Sequence, residues 1–405
     1  MSKISRQLLL VLLILVLAAS ACAAPVSQAP AAPAADTQAP AEATVAPESE
    51  SAPSTGLSGT IEVGCAHALS GPIAIYGEPI SNGIYLAAKQ INADKLLGDA
   101  NLEIICEDTA GDKAQSINAF QKLINQDKVV AILGPTLSNS AFAADPVAQE
   151  AGIPVLGSSN TATGITDMGD YVFRDSLPES DVIPNTIKVA REKYGFDQVA
   201  VMYGNDDQFT QSGYDVMEAA LADQGLEVVA TETFAKGDTD FSAQLTKIKA
   251  LEPQALLVSA LAEEAANIMI QARQLGLDVP IIGGNGFNSP KLAEIAGPAA
   301  EGAISGAAWN IGNPDPENQK FVEAYRAEYG SDPDQFAAQA YTAAWLMATA
   351  IKNAGSTDPA AIRDALAAIR DFPSPLGNYS FDENRNPVHT PVVLIVQEGQ
   401  FAVLE

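Results

Sequence analysis

From residue 60 onward the chain alternates short apolar runs with longer stretches patterned as helices, and it does so in two successive series. The first series reads strand Thr60–Ala66, helix Asn82–Ala93, strand Leu102–Glu107 and helix Lys113–Gln126. Strand Val129–Gly134, helix Asn139–Ala151 and the short buried strand Pro154–Gly157 complete it. The second opens with helix Asp181–Tyr194, strand Gln198–Tyr203, a helix near Ser212–Gln224 and strand Glu227–Phe234. Helix 241–250, strand 255–259, helix 262–275 and strand 280–284 continue it. Strands separated by helices predict parallel sheets with helices on both faces, so the expected class is α/β with two doubly wound lobes.

The seam falls near residues 175–182, and the tail breaks the rhythm. Glu317–Tyr329, Asp334–Asn353 and Pro359–Ile369 read as helices, followed by short strands at Tyr379–Phe381, Pro391–Gln397 and Phe401–Leu404. Residues 381–387 read as a hairpin turn. A tail that returns helices to the first lobe and strands to the second would cross between them more than once. The expected division is lobe 1 from 59–178 with 309–374 and lobe 2 from 179–308 with 375–405. Such a multi-strand hinge frames a ligand cleft.

The N-terminus predicts export. Lys3 and Arg6 precede the aliphatic run Leu8–Ala19, which is shorter than the roughly 20 residues a membrane-spanning helix needs. Basic, apolar, then small residues is the pattern of a secretory signal, here residues 1–21. Ala19-Ser20-Ala21-Cys22 resembles a bacterial lipobox, with Cys22 the expected acylated residue; Ala19 stands where a large aliphatic residue is usual. Residues 22–58 are dominated by Ala, Pro, Ser, Thr, Glu and Gln, too poor in bulky apolar groups to fold alone, and fit a tether. The expected location is outside the cytoplasm, with membrane attachment only through that lipid. Lys and Arg total 22 against 50 Asp and Glu, a formal charge of −28. Nucleic acid and anionic lipid surfaces would repel such a chain. Cys65 and Cys106 remain near predicted strand ends, either as a disulfide or as two separate buried thiols.

Catalytic patterns are absent from the sequence. It contains no phosphate-binding P-loop, no HExxH and no GxSxG, and Gly283-Gly284-Asn285-Gly286 lacks dinucleotide-fingerprint spacing. Only His67 and His389 could serve as imidazole bases, and His67 reads as a solvated or capping residue. In each of the pairs Asp206-Asp207 and Glu263-Glu264 at least one residue reads as a solvated edge. No Cys/His cluster suggests a metal, and no cofactor is expected. The expectation is a binding protein rather than an enzyme, with a hydrolase on the same lobes the weakest alternative.

Ligands of open α/β sheets bind beyond the carboxyl ends of the strands. Two loops there are rich in hydroxyls: Gly134-Pro135-Thr136-Leu137-Ser138-Asn139-Ser140, and Gly157-Ser158-Ser159-Asn160-Thr161-Ala162-Thr163. A helix N-terminus can hold a carboxylate without any Lys or Arg. Ser and Thr hydroxyls both donate and accept, so they suit a carboxylate beside an ammonium. Taken alone, Ser138 could simply cap its helix.

The chain resembles the branched-chain amino-acid binding proteins of ABC transporters, periplasmic binding proteins of type I fold, from Thr60 to the C-terminus. The resemblance is carried by 70–77 (Ser-Gly-Pro-Ile-Ala-Ile-Tyr-Gly), Ala131-Ile132-Leu133-Gly134-Pro135 and Gly152-Ile153-Pro154-Val155. Thr239-Asp240-Phe241-Ser242, Gln271-Ala272-Arg273 and the Phe381-Asp382 turn complete it. It implies a small-molecule ligand, an amino acid or similar carboxylate, and ABC permease subunits as partners of a monomer. It assigns the ligand carboxylate to Ser138, a backbone carbonyl to Ser159, the ammonium to Thr161, and aromatic cover to Tyr76 and Phe209. Ser158, Asp206 and Trp309 are further candidates around the same cleft. Two positions depart from the family pattern. Asn285 stands at its acidic ammonium partner, and Leu261 stands near an aromatic. Either another acid (Asp181, Asp206 or Glu263) supplies the charge, or the ligand is an amide or another organic acid. A ligand sensor of the same fold feeding a signalling system is the alternative to transport.

Overall fold

The computed structural model describes residues 56–404. The expected signal at 1–21, Cys22 and most of the expected tether lie outside the described residues. The described residues form one compact unit built on two main sheets.

The first sheet contains β1 (Ser58–His67), β2 (Asp99–Asp108), β3 (Ile132–Leu133), β4 (Val155–Gly157) and β5 (Val172–Arg174), in the order β2-β1-β3-β4-β5 and all parallel. Its crossovers carry α1 (Ala74–Ala93), α2 (Lys113–Lys122) and α3 (Ser138–Ala151). The second half begins with α4 (Glu179–Tyr194), β6 (Gln198–Gly204), α5 (Gln208–Asp223), β7 (Glu227–Phe234) and α6 (Ser242–Ala250). It continues with β8 (Ala255–Ser259), α7 (Ala262–Gln274), β9 (Ile281–Gly283), α8 (Pro290–Ala296) and β10 (Ile304–Ala307). The tail adds α9 (Pro316–Tyr329), α10 (Gln335–Ala354), α11 (Pro359–Ala367), β11 (Phe372–Ser374), β12 (Gly377–Tyr379), β13 (Val392–Gln397) and β14 (Gln400–Val403). The second sheet runs β14-β13-β10-β9-β8-β6-β7, with β13 and β14 antiparallel additions to a parallel core.

Covered strands need apolar side chains on both faces, which is why β8 reads Ala-Leu-Leu-Val-Ser and is buried throughout. On the first sheet, α10 packs along α1 and reaches β3 and β4. Gly83 permits that approach: a Cβ there would lie 2.3 Å from the Ala337 carbonyl oxygen. On the second, α4 packs against β9, β10 and β13. The chain therefore passes between the sheets three times: from β5 to α4, from β10 to α9, and from β12 to β13. Two of these passages are bonded together. The Arg174 Nε donates to Asn386 Oδ1 at 2.7 Å, and the Arg385 guanidinium donates to the carbonyls of Val172 and Thr166 at 3.1 and 2.8 Å.

Local patterning misjudges a few elements. β5 has only three residues, too few for a period to show, and neither it nor α8 is among the expected elements. α1 starts eight residues before the expected Asn82 and contains Pro79, a residue that argues for a later start. The strand expected at Tyr379–Phe381 lies earlier, as β12 paired with β11, and Phe381 forms a single bridge to Pro387 across the turn.

Cys65 and Cys106 face each other in the β1–β2 register and form a disulfide. It closes a loop with a sequence separation of 41 residues. Loop-entropy reasoning gives such a crosslink about 2–4 kcal/mol of stability. Replacing both cysteines by serine should lower the thermal midpoint by several degrees; an unchanged calorimetric midpoint would show that the paired strands alone carry this edge.

Candidate functional site

Each parallel core has one place where the strand order reverses, between β1 and β3 in the first sheet and between β6 and β8 in the second. Loops leave in opposite directions there, which opens a crevice at the strand carboxyl ends. The two crevices adjoin. Tyr76, Thr136, Leu137, Ser138, Ser159 and Phe336 from one side, with Phe209, Leu261, Asn285 and Gly286 from the other, line one cavity of about 20 Å³. That is room for about one water molecule. Larger depressions exist, about 1010 Å³ between α4 and α5 and about 550 Å³ beside α10 and β11. Neither is lined by the strand-end loops, so their size does not make them better candidates.

Tyr76 spans the cavity. Its ring meets Phe336 edge-on at 5.0 Å between centroids. Its hydroxyl donates to the Gly286 carbonyl at 2.9 Å and accepts from the Ala262 N–H at 2.7 Å. Burial raises its pKa, so the phenol stays a neutral donor. Other bonds also join the sides: Asn139 donates to the Asp207 carboxylate, and its Oδ1 accepts from the Gln208 N–H at 2.7 Å. The Thr163 N–H donates to the Ser212 hydroxyl at 2.9 Å.

The hydroxyl loops are fixed by buried partners. Thr136 Oγ1 accepts from the Ala68 N–H at 3.0 Å and lies 3.1 Å from His67 Nδ1. His67 is fully buried, and burial pushes its pKa down to about 3. It is therefore a neutral core residue positioning Thr136, not the solvated or capping histidine expected. Ser159 Oγ donates to the Thr136 carbonyl at 2.5 Å. Ser138 opens α3 but does not cap it: the N-cap is Leu137, without a side-chain cap, and Ser138 Oγ accepts from the Ala162 N–H at 3.3 Å. Simple capping is thus excluded for Ser138, and the first turn of α3 points at the cavity.

The structure brings Tyr76, Ser138, Ser159, Phe209 and Asn285 to one cavity. Ser158 is buried in the same loop as Ser159. Thr161 lies just beyond, where its hydroxyl donates to Glu179 Oε1 at 3.3 Å. Asp206 is exposed, accepts from the Lys236 N–H at 2.9 Å and lines a neighbouring cavity of about 10 Å³. Trp309 lies away from this cavity, with Nε1 donating to Asn318 Oδ1 at 2.6 Å and its ring packed on Phe321. Asp181 and Glu263, the other acids considered, are exposed.

Sequence reasoning overlooked Glu179. This first residue of α4 is 1% exposed. Its Oε1 accepts from Thr161 Oγ1 and, at 3.2 Å, from the Asn285 N–H, and its own N–H donates to the Thr161 carbonyl at 2.9 Å. Burial pushes its pKa up to about 7, although both hydrogen bonds and the nearby Arg174 oppose that rise. Asn285 is held in turn by Gln335, whose Nε2 donates to Asn285 Oδ1 at 2.7 Å while its Oε1 accepts from the Ala308 N–H. The only signal in the sequence was an acid placed within the seam.

Residues 60–400 match the sequence model of a family described as periplasmic binding protein. A leucine-, isoleucine-, valine-, threonine- and alanine-binding protein of Pseudomonas aeruginosa is 30% identical over 325 residues, covering 80% of this chain and 86% of the relative. A leucine-binding protein from Thermotoga maritima superposes with a TM-score of 0.81 at 28% identity, covering 85% of this chain and 97% of that one. The branched-chain amino acid transporter substrate-binding protein of Streptococcus pneumoniae, solved with isoleucine, also gives 0.81, at 32% identity and 85% and 98% coverage.

The Tyr76 hydroxyl is the bond across the cavity that can be removed with least disturbance. Tyr76→Phe keeps the ring on Phe336 but strands two buried backbone groups, a cost of about 1–3 kcal/mol to the closed form. Small-angle scattering should then report a larger radius of gyration than for the parent. An identical radius would show that this hydroxyl does not hold the two sides together.

Proposed function

The chain belongs to the periplasmic binding protein family over residues 60–400, and from that premise we propose that it is the extracytoplasmic receptor of an ABC importer for a small, mainly apolar amino acid. The observation that carries the reading is one cavity, built at both strand-order reversals and closed by side chains from both sheets. A ligand held there touches both sides only when they are together, so it shifts the population toward the closed form. That closed shape is what a permease reads. The names of the relatives, binders of leucine, isoleucine and valine among them, support the ligand class. The family is one of solute-binding proteins rather than enzymes.

We further infer a division into two lobes and a set of ligand contacts. Lobe 1 comprises 59–178 with 309–379, and lobe 2 comprises 179–308 with 380–405; the last boundary lies later than the expected 374/375 because β12 pairs with β11 and the passage to the second sheet follows it. The ligand carboxylate lies against the first turn of α3 and the Ser138 hydroxyl, with the Ser159 carbonyl and Thr161 hydroxyl on its amino group. Tyr76 and Phe209 cover the aliphatic side chain. Cys22 bears the lipid, residues 22–58 tether the body to the membrane, and the receptor acts as a monomer. The Cys65–Cys106 disulfide supports an oxidising compartment.

Calorimetric titration with the standard amino acids, their amides and short organic acids tests the function. Single-site binding to an amino acid at micromolar or tighter Kd, about −8 kcal/mol, is expected; no heat with any of them would sink the ligand class. Ser138→Ala combined with Thr161→Ala removes two bonds to charged groups, each about 1.5–3 kcal/mol, and should weaken binding about 10²–10⁴-fold. Affinity unchanged by the pair would remove both residues from the site.

A further inference from the structure

We propose that Glu179 is the acidic member of this ligand site, replacing the acid absent at Asn285, and that it selects ligands carrying a cationic nitrogen beside their carboxylate. The inference rests on the function proposed above and narrows its ligand. An ammonium taken out of water into a closed cleft needs a counter-charge, because an unpaired buried charge is very costly. Asn285 offers none, and the residues that could have replaced it, Asp181, Asp206 and Glu263, are exposed. Of the other buried acids, Asp207, Asp334 and Glu264 have partners elsewhere, while the Asp175 carboxylate, itself without a hydrogen bond, is bonded to neither Thr161 nor Asn285. Asp207 caps α5 and accepts from Asn139. Asp334 caps α10, and Glu264 accepts from the Gly237 N–H.

Glu179 alone joins the two positions at issue. Its Oε1 is held by the Thr161 hydroxyl and the Asn285 N–H, while Oε2 is buried without a hydrogen-bond partner. Such an oxygen is expensive to leave unpaired, and an ammonium donor would satisfy it. Gly284, the first residue after β9, makes room for it: a Cβ there would lie 2.5 Å from Oε2. The carboxyl group thus lies between the two lobes, fixed by one residue from each.

This placement makes binding proton-linked. Glu179 bonds Thr161 in the loop after β4 and Asn285 after β9, lies against Gly284, and faces the charge of Arg174 on β5, on which Asp181 of α4 also acts. Of these, Arg174 is the charge that acts on it, favouring the ionised form. Asp175 after β5 and Asp334 before α10 are further buried acids, and burial pushes Asp334 up to about 7 as well. Without ligand, Glu179 holds its proton up to about neutral pH. An ammonium favours the carboxylate and drives that proton off. Affinity for an amino acid therefore rises with pH, by up to tenfold per unit below about 7, and levels above it. A ligand with no ammonium would follow the opposite slope, because a protonated Glu179 can donate to it and an ionised one cannot.

The test is calorimetry on the parent and on Glu179→Gln from pH 5.5 to 8.5. The probes are leucine, isoleucine, valine and their deamino acids, in buffers of different ionisation enthalpy. The parent should bind an amino acid with release of close to one proton at pH 6, and bind its deamino acid at least 100-fold more weakly. Glu179→Gln, near-isosteric and free of the buried charge, should lose at least 100-fold in amino-acid affinity, the proton release and the pH slope, while its thermal midpoint stays at or above the parent's. Amino-acid binding that keeps its affinity and pH slope in Glu179→Gln, a slope then traceable to Asp334 or Asp175, overturns the proposal while leaving the receptor function intact. Preference of the parent for a deamino acid, strongest at low pH, also overturns it. Failure of the parent to bind any probe overturns the proposal together with the branched-chain reading beneath it.

Discussion

Parallel strands cannot be joined by tight turns; each must be followed by a crossover that returns the chain to the same starting edge. Every strand of a parallel sheet therefore ends on the same side, and every loop that leaves those ends is collected there. This one constraint organises the molecule. It assembles the loops after β1, β3 and β4 at one edge and those after β6, β8 and β9 at another. The three passages of the chain then set the two edges against each other. No residue of the site needs to be near its partners in sequence, because the crossover geometry delivers all of them to one place. Tyr76 and Gly286 are joined by a hydrogen bond across a separation of 210 residues.

Much of this was legible before any coordinates. Apolar runs bounded by Gly and Pro marked the strands because burial on both faces leaves little freedom in composition. The hydroxyl-rich loops at 134–140 and 157–163 were visible because strand ends could be located. Elements failed where the local signal is short or conflicted: three residues at β5, and Pro79 inside α1. Glu179 failed for a different reason. Its burial is imposed by Thr161, Asn285 and the bare backbone at Gly284, and none of these contacts has a periodicity. An acid at the start of a helix ordinarily reads as favourable to the helix dipole and exposed. Trp309 illustrates the converse. A large aromatic after a strand looks like a cleft wall, yet its indole N–H found Asn318 and its ring found Phe321.

The polar residues of the site divide by what holds them. His67, Thr136, Ser159 and Asn160 are tied into a network within the first lobe, which fixes the shape of the strand-end loops. Tyr76 and Asn139 instead bond across to the second, and Glu179, the first residue of the second, accepts from Thr161 of the first. In the proposed site affinity and closure are therefore not separate properties: Tyr76 and Glu179, both assigned to the ligand, also carry bonds between the two halves.

The triple passage between the sheets has a mechanical consequence. A single tether would let one half twist, slide and swing relative to the other, and each closure would have to select one arrangement among many. Three segments side by side, two of them bonded through Arg174 and Arg385, suppress twist and slide and leave bending as the soft coordinate. Most of the orientational entropy of docking the two halves is thereby lost once, during folding, and not again at each cycle. A weak ligand contact can then decide between two shapes, and the outer surface shows its reader the same geometry every time.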